Sequence, residues 1–509
     1  MAFTTFIVLI LAYLLYSLAS RSRHKPLPPG PTPLPLIGNL HQLKRPDQPW
    51  AQLKEWHKQY GPVITVRAGM RTIINLGTHQ AINDILRKRA NLYGSPPKSV
   101  FFGECVTQNS LPLLISDASI RNEMRRLFAA LFGPKACRAY GMFQERESVQ
   151  LMLELAGGAS NIASLWRYVA RVITPIVHGE ELDREDQSEM DDLKSLMGSI
   201  SGLGTPANAL VELFPFLNML PKPFNRWKQL GSAWHQEVIR VWKRRVQRGL
   251  QSKNWNCIKL INQNKPENLT GEQFLFGAAE IESGAVYGSL LLTMFAIVLA
   301  ATHPDETQRV RSEIDAVVGP DRLPCLDDLE RLPLVRGFFD EMRRWRGRVS
   351  FSMPFYAAQE DEYQGYRIPA GSMIVADQWS LNTDPDSYDQ PAEFRPERWI
   401  SDPRLPKPVT FGYGRRTCPG ERLVTNSVCL VLARLLWAFD IVPPPEYQDT
   451  NGNHGIVKVL ADFDIDAARF VPRDQKRLAV MNDASKGSFP ETKTILDNAA
   501  RAVRLQLRA

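Results

Sequence analysis

Over most of this chain, apolar residues recur at the three- and four-residue spacing of a helix with one buried face. Only short stretches show the alternation and β-branched enrichment of strands. Residues 237–250, 274–301, 307–318 and 428–437 carry the helical pattern. Val63-Ile64-Thr65-Val66 and Thr72-Ile73-Ile74-Asn75-Leu76, on either side of Gly69, predict a hairpin. Residues 363–375 predict a second strand pair turning around Ile368-Pro369-Ala370-Gly371. The expected fold class is mainly α with a small β region.

The first 20 residues depart from both patterns. They hold no side-chain charge and are apolar on every face, and about 20 residues at ~1.5 Å each reach roughly 30 Å, the thickness of a bilayer core. A cleaved signal peptide ending near Ser17-Leu18-Ala19 is the competing reading. Signal peptides carry their positive charge before the apolar run, whereas Arg21, Arg23, His24 and Lys25 come after it, which favours one transmembrane helix with the following body in the cytosol. Pro26, Pro28, Pro29, Pro31, Pro33 and Pro35 then predict a stiff, extended strut. No linker or repeat divides the rest, so the expected organisation is an anchor at 1–20, a hinge at 21–37, one large body at 38–480 and an extension at 481–509. In that extension Ile495, Ala499, Val503 and Leu507 share one helical face, which fits either an interfacial membrane helix or, on the plainer reading, a helix packed on the body or a frayed end.

Composition narrows the function. A formal charge of +8 is spread widely, with no aromatic-interleaved basic stripe, so no nucleic-acid partner is expected; a basic face toward a membrane or an acidic protein is more economical. The six cysteines lie far apart without a Cys-x-x-Cys pair, which argues for reduced thiols and against a disulfide framework or a zinc site.

One of those cysteines carries the strongest chemical signal. Phe411-Gly412-Tyr413-Gly414-Arg415-Arg416-Thr417-Cys418-Pro419-Gly420 precedes an apolar helical run, so Cys418 is expected at a helix N-terminus, with Pro419 at the first helical position and a thiolate favoured over a thiol. The segment resembles the haem loop of the cytochrome P450 family, Phe-x-x-Gly-x-Arg-x-Cys-x-Gly, at Phe411, Gly414, Arg416, Cys418 and Gly420. Glu341-Met342-Arg343-Arg344 and Phe394-Arg395-Pro396-Glu397-Arg398 resemble two further family segments in the same order. The resemblance covers about residues 26–473. It implies a cytochrome P450 fold, haem b with Cys418 as axial sulfur ligand of the iron, Arg416 on a haem propionate, Phe411 beside the sulfur, and a structural lock of Glu341, Arg344 and Arg398. It also implies a body held at the endoplasmic reticulum membrane. The family's Trp-Arg-x-x-Arg appears only as Arg121 to Arg125, leaving Arg125 as second propionate contact and Arg121 as a substitute. Phe355 stands where relatives often carry histidine, so one propionate contact is expected to be lost.

The resemblance implies a monooxygenase acting on a small lipophilic molecule, with members of fungal secondary metabolism as the nearest likeness. Its pocket would be bounded by residues 285–289, Phe101-Phe102 and the apolar Val349, Phe351 and Met353. No Gly-x-Gly-x-x-G fingerprint or flavin domain is present, so NADPH would act through a separate NADPH-cytochrome P450 reductase, met by Arg125, Arg126, Lys135, Arg138, Arg415 and Arg422. In the central helix the family's acid and alcohol fall on Tyr287 and Gly288. Glu282-Ser283 stands five residues upstream, about 500° round the helix, and a one-residue bulge would bring Glu282 onto the same face. Gly288 and Ser289 are therefore the catalytic candidates, with protons from water held beside Gly288, from Ser289 or from a substrate hydroxyl; the equal alternative is drift in an enzyme whose oxygen activation is inefficient. Two other functions stay open: a haem-thiolate isomerase or dehydratase needing no reductase, and a non-catalytic haem-binding protein.

Overall fold

The computed structural model describes residues 25–43, 49–96, 98–182, 188–221, 224–345, 354–447 and 456–508. The expected anchor at 1–20 lies outside these residues, as do Val349, Phe351 and Met353. The chain forms two compact units. One takes Met1–Pro97, Ser352–Leu381 and Tyr413–Arg416; the other takes Lys98–Phe351, Asn382–Gly412 and Thr417–Ala509.

The first unit holds most of the β structure. β1 (Val63–Ala68) and β2 (Arg71–Leu76) pair antiparallel from Val63 opposite Leu76 to Ala68 opposite Arg71, and the turn between them places Gly69 at φ +56°. Ile64, Ile74 and Leu76 are fully buried, which sets the register, because a one-residue slip would carry them to the other face. The second strand region is built differently from the expectation. β4 (Asp361–Tyr363) and β5 (Tyr366–Ile368) turn at Gln364 and Gly365, both at positive φ, the signature of a two-residue hairpin loop. β6 (Met373–Ala376) joins the other sheet, parallel to β2 and antiparallel to β3 (Phe355–Tyr356), in the order β1-β2-β6-β3. The Pro369-to-Gly371 segment thus carries the chain between sheets rather than joining a strand pair.

The second unit is helical around one long element, Gly271–Thr302. Thr270 opens it with a reciprocal cap: its hydroxyl accepts from the Gln273 N–H while its own N–H donates to the Gln273 side chain at 3.0 Å. Pro304 begins the next helix and stops this one. Apolar residues cover nearly all of its surface, so it is a core helix, packed against Asn161–His178, Arg226–Gln251 and Glu421–Ala438. Among the described residues it is the only helix whose length and composition would also suit a membrane, and 67% of that apolar window is buried inside the protein.

One polar exception lies inside this packing. Glu282 is completely buried and receives Arg245 from the Arg226–Gln251 helix through two hydrogen bonds, one of 3.1 Å, and lies 2.9 Å from His178 Nε2 of the Asn161–His178 helix. Burial opposes its charge, but Arg245 and His178 override that cost and hold the carboxyl well below its ordinary range. The central helix is α-helical throughout, with no bulge. Glu282 therefore stays on the face turned to its neighbouring helices, and the bulge that would move it does not occur.

The chain ends in a helix, Thr492–Arg508. Ile495, Leu496, Ala499, Ala500 and Val503 are buried against Pro134–Ala156, and the Gln506 amide donates to the Ala129 carbonyl. Its apolar face is thus covered by the body. Of the two readings of this extension, packing on the body is the one the structure takes, and the interfacial membrane helix is set aside.

Candidate active site

Cys418 is the exposed one of six free cysteines. Its N–H donates to the Phe411 carbonyl at 2.8 Å, which closes the loop back on itself, and Gly412 between them takes φ +79°. The helix that follows begins at Glu421, with Pro419 and Gly420 forming a turn before it. Pro419 is therefore not the first helical residue, and the sulfur sits just ahead of the helix rather than in its first turn. The thiol is not depressed by the protein alone: desolvation pushes it up, the Gly420 N–H and the Arg125 guanidinium pull it down, and Glu421 and Glu280 push it up again. Solvent reaches the sulfur, yet protein surrounds it closely enough for desolvation to prevail.

Arg125, on the Ala118–Leu131 helix, donates to the Thr417 carbonyl at 3.0 Å, beside the cysteine. Burial lowers its guanidinium from the ordinary value, while Glu280 and Cys418 act in the opposite sense. Arg121 is spent elsewhere, on the Ile115 and Ser116 carbonyls at 2.8 and 3.2 Å. The Phe411 ring lies under the Arg343 guanidinium at 5.0 Å. In the other unit Gly414, at φ +53°, lies so close to Leu86 that an added Cβ would meet its carbonyl oxygen at 2.7 Å, and Arg416 donates to the Pro354 carbonyl at 2.8 Å with Phe355 beneath it.

Glu341, Arg344 and Arg398 are brought together. Arg344 donates to both Glu341 oxygens at 2.9 and 2.6 Å, and Arg398 Nε donates to Glu341 Oε1 at 3.0 Å. The Trp399 indole and the Arg395 N–H also donate to Glu341, each at 2.9 Å. Arg344 spends its remaining donors on the carbonyls of Asn382, Pro391 and Glu393. All three charges are buried, and their hydrogen-bonding groups are satisfied by a loop that threads around them.

The open strip of the central helix runs through Gly284 and Tyr287, both exposed. A Cβ added at Gly284 or Gly288 would touch nothing within 4 Å. Ser289 lies off this strip and is buried. One residue on the strip escapes the motif comparison: Glu280 stands seven residues before Tyr287, and seven steps of roughly 100° return to within about 20° of the same face. Counting back seven residues, rather than five to Glu282, would have found it. Glu280 accepts from the Leu113 N–H at 3.2 Å and lines a cavity of about 120 Å³ whose walls include Phe102, Leu111, Trp234, Trp242 and Phe276. Glu280 and Arg125 both bear electrostatically on the Cys418 thiol, in opposite senses.

The loop thus holds Cys418 between glycines with the Arg125 guanidinium bonded to the neighbouring Thr417 carbonyl. The chain belongs to the cytochrome P450 family, whose profile matches residues 28–461. It is 33% identical over 442 residues to the cytochrome P450 monooxygenase FrzL of a Cladobotryum species, covering 86% of each chain. It is 34% identical over 424 residues to the cytochrome P450 monooxygenase aneD of Aspergillus aculeatus, covering 82% of each. It is 32% identical over 468 residues to the cytochrome P450 monooxygenase peniB of Penicillium patulum, covering 90% of this chain and 87% of that one. It is thus an enzyme of the cytochrome P450 monooxygenase class. The family implies haem iron, and the residues present fit it: a solvent-reachable sulfur, an adjacent arginine, and two glycines that leave the central helix bare.

Proposed function

We propose that the protein oxidises a small lipophilic natural-product intermediate with dioxygen, using electrons that a separate NADPH-cytochrome P450 reductase delivers. The observation that carries the reading is the exposed Cys418 sulfur, held by the Phe411 hydrogen bond and flanked by Arg125, in the same unit as an apolar cavity. Cys418 would be the axial ligand, with Arg125 and Arg416 on the propionates and Phe411, Gly414 and Gly420 shaping the loop. When bound, haem ligated by a thiolate supplies dioxygen activation, because the sulfur pushes electron density toward the iron and favours O–O cleavage. On the protein's side, the Gly420 N–H and the Arg125 guanidinium would favour the ionised sulfur.

The chain's own residues do the rest. The aromatic walls desolvate and orient an apolar substrate, and the open space beside Gly284 and Gly288 leaves room for it and for water that can deliver protons. Exposed Arg126, Lys135, Arg138 and Arg422 offer an acidic reductase a basic surface. Residues 1–20 would anchor the body to the endoplasmic reticulum membrane from the cytosolic side. Purified protein with reductase and NADPH is expected to consume oxygen and yield an oxygenated or dehydrogenated product from extracts of cells lacking the gene. The Tyr287 and Gly288 replacements favour one other reading, a rearrangement needing no proton relay; product formed without NADPH or oxygen would establish it in place of the monooxygenase.

A further inference from the structure

We propose that the C-terminal helix, Thr492–Arg508, forms part of a docking surface for an acidic protein, the NADPH-dependent reductase that would supply electrons. The inference rests on the monooxygenase reading and gives its partner a contact outside residues 28–461, the stretch that the family profile matches. The helix spends one face on the body, where Ile495, Leu496, Ala499, Ala500 and Val503 are buried. Beside that face runs a stripe of Arg501, Arg504 and Arg508, all exposed, at the three- and four-residue steps that bring side chains together on a helix surface. Leu505 stands among them and is 59% exposed. Arg501 donates to the Asn498 side chain, and neither Arg504 nor Arg508 has an ion-pair partner among the described residues. Asp497 is the one acid of the helix, against Lys493 and the three arginines.

The charged end of the helix is pinned to the cysteine side of the body. Gln506 donates to the Ala129 carbonyl at 3.2 Å, and its side chain fills the space that a Cβ at Gly133 would need. Exposed Lys135 follows two residues later, at the start of Pro134–Ala156, and further along that helix Gln144 donates to the Leu423 carbonyl, beside exposed Arg422. On the Ala118–Leu131 helix, exposed Arg126 is next to Arg125, whose guanidinium bonds the Thr417 carbonyl. The arginine stripe thus continues the basic surface already offered to the reductase. A bare leucine with arginines around it also has the make-up of a protein interface, an apolar centre with a charged rim that steers an acidic partner. Lipid suits the stripe less well, because an interfacial helix buries its apolar face in the bilayer and the body covers this one. Nor does the helix dipole account for it, since that effect fades within the last turn and Arg501 stands about two turns from the end.

The test uses the purified holoenzyme and a purified fungal NADPH-cytochrome P450 reductase. Binding is measured by calorimetry, and electron delivery by the rate at which the NADPH-reduced reductase forms the ferrous carbon monoxide complex without oxygen. One variant combines Arg501→Glu, Arg504→Glu and Arg508→Glu, and a second changes the same three residues to lysine. At about 0.05 M salt the glutamate variant should bind the reductase roughly tenfold or more weakly than the parent, with the gap closing at about 0.5 M. The lysine variant keeps the charge and should stay within about threefold of the parent. Dithionite reduces the protein without a partner, so the carbon monoxide band it produces should be the same in all three. If the glutamate variant lacks that band, the corresponding glutamine variant decides on the same comparison. Equal affinity of parent and variant at low salt overturns the proposal. So does a glutamate variant that keeps its affinity for the reductase and loses only its binding to phosphatidylserine vesicles. A parent that neither binds the reductase nor accepts its electrons contradicts the monooxygenase reading on which the proposal rests.

Discussion

Gly288 brings no side chain to the central helix, and the space beside it is open. If water there delivers protons, Gly288→Thr should change the product formed per NADPH consumed severalfold, whereas Ser289→Ala, altering a buried hydroxyl off the open strip, should leave it unchanged. Equal coupling in both variants and the parent would remove any proton role from this stretch. At Glu341 the issue is stability. Glu341→Ala leaves Arg344 and Arg398 buried without their carboxylate, and should cost about 3–5 kcal/mol in denaturant unfolding. The Glu341, Arg344 and Arg398 cluster was legible because each sits in a spaced motif whose chemistry restricts the residue type. The place of Glu280 beside the cavity was not, because nothing sets it apart from Glu272 and Glu282 of the same helix until the cavity's position is known.

Among the elements, the central helix is tied to two neighbours by Glu282, Arg245 and His178. The folded-state carboxyl of Glu282 lies below its unfolded value, so its contribution is complete above the ordinary carboxylate range and is lost only as pH falls through the folded value. Glu282→Gln should therefore destabilise the protein near neutral pH by about 3–5 kcal/mol, with the deficit against the parent undiminished at ~pH 5 and shrinking only at stronger acidity. A deficit that vanishes by ~pH 5 would contradict the network. The helices were legible from their period, and the β1–β2 hairpin from β-branched runs around Gly69. The later strands were misread because β6 pairs with β2, about 300 residues earlier in the chain, a long-range contact that no local pattern encodes.

For the whole molecule, the apolar face of the C-terminal helix is covered, while other apolar side chains of the body are bare. Phe216, Met219 and Phe224 are 56%, 85% and 67% exposed close together in sequence, a density of bare apolar side chains suited to a bilayer interface. Removing residues 1–25 should release the protein from membranes only in part, and adding Phe216→Ser and Met219→Ser should complete the release in sedimentation. Full release by truncation alone would deny this surface a membrane role. The family and its fold were legible across most of the chain because three motifs occur in order, whereas the Cys418 environment depends on distant residues such as Arg125 and Glu280. The central claim is that Cys418 is the sulfur ligand of the haem iron, and the most direct measurement is the absorption spectrum of the reduced carbon monoxide complex. The parent should show the strongly red-shifted Soret band of thiolate ligation and Cys418→Ala should lack it, since Cys429 is buried eleven residues further on. A Cys418→Ala variant that retains the band would contradict the assignment.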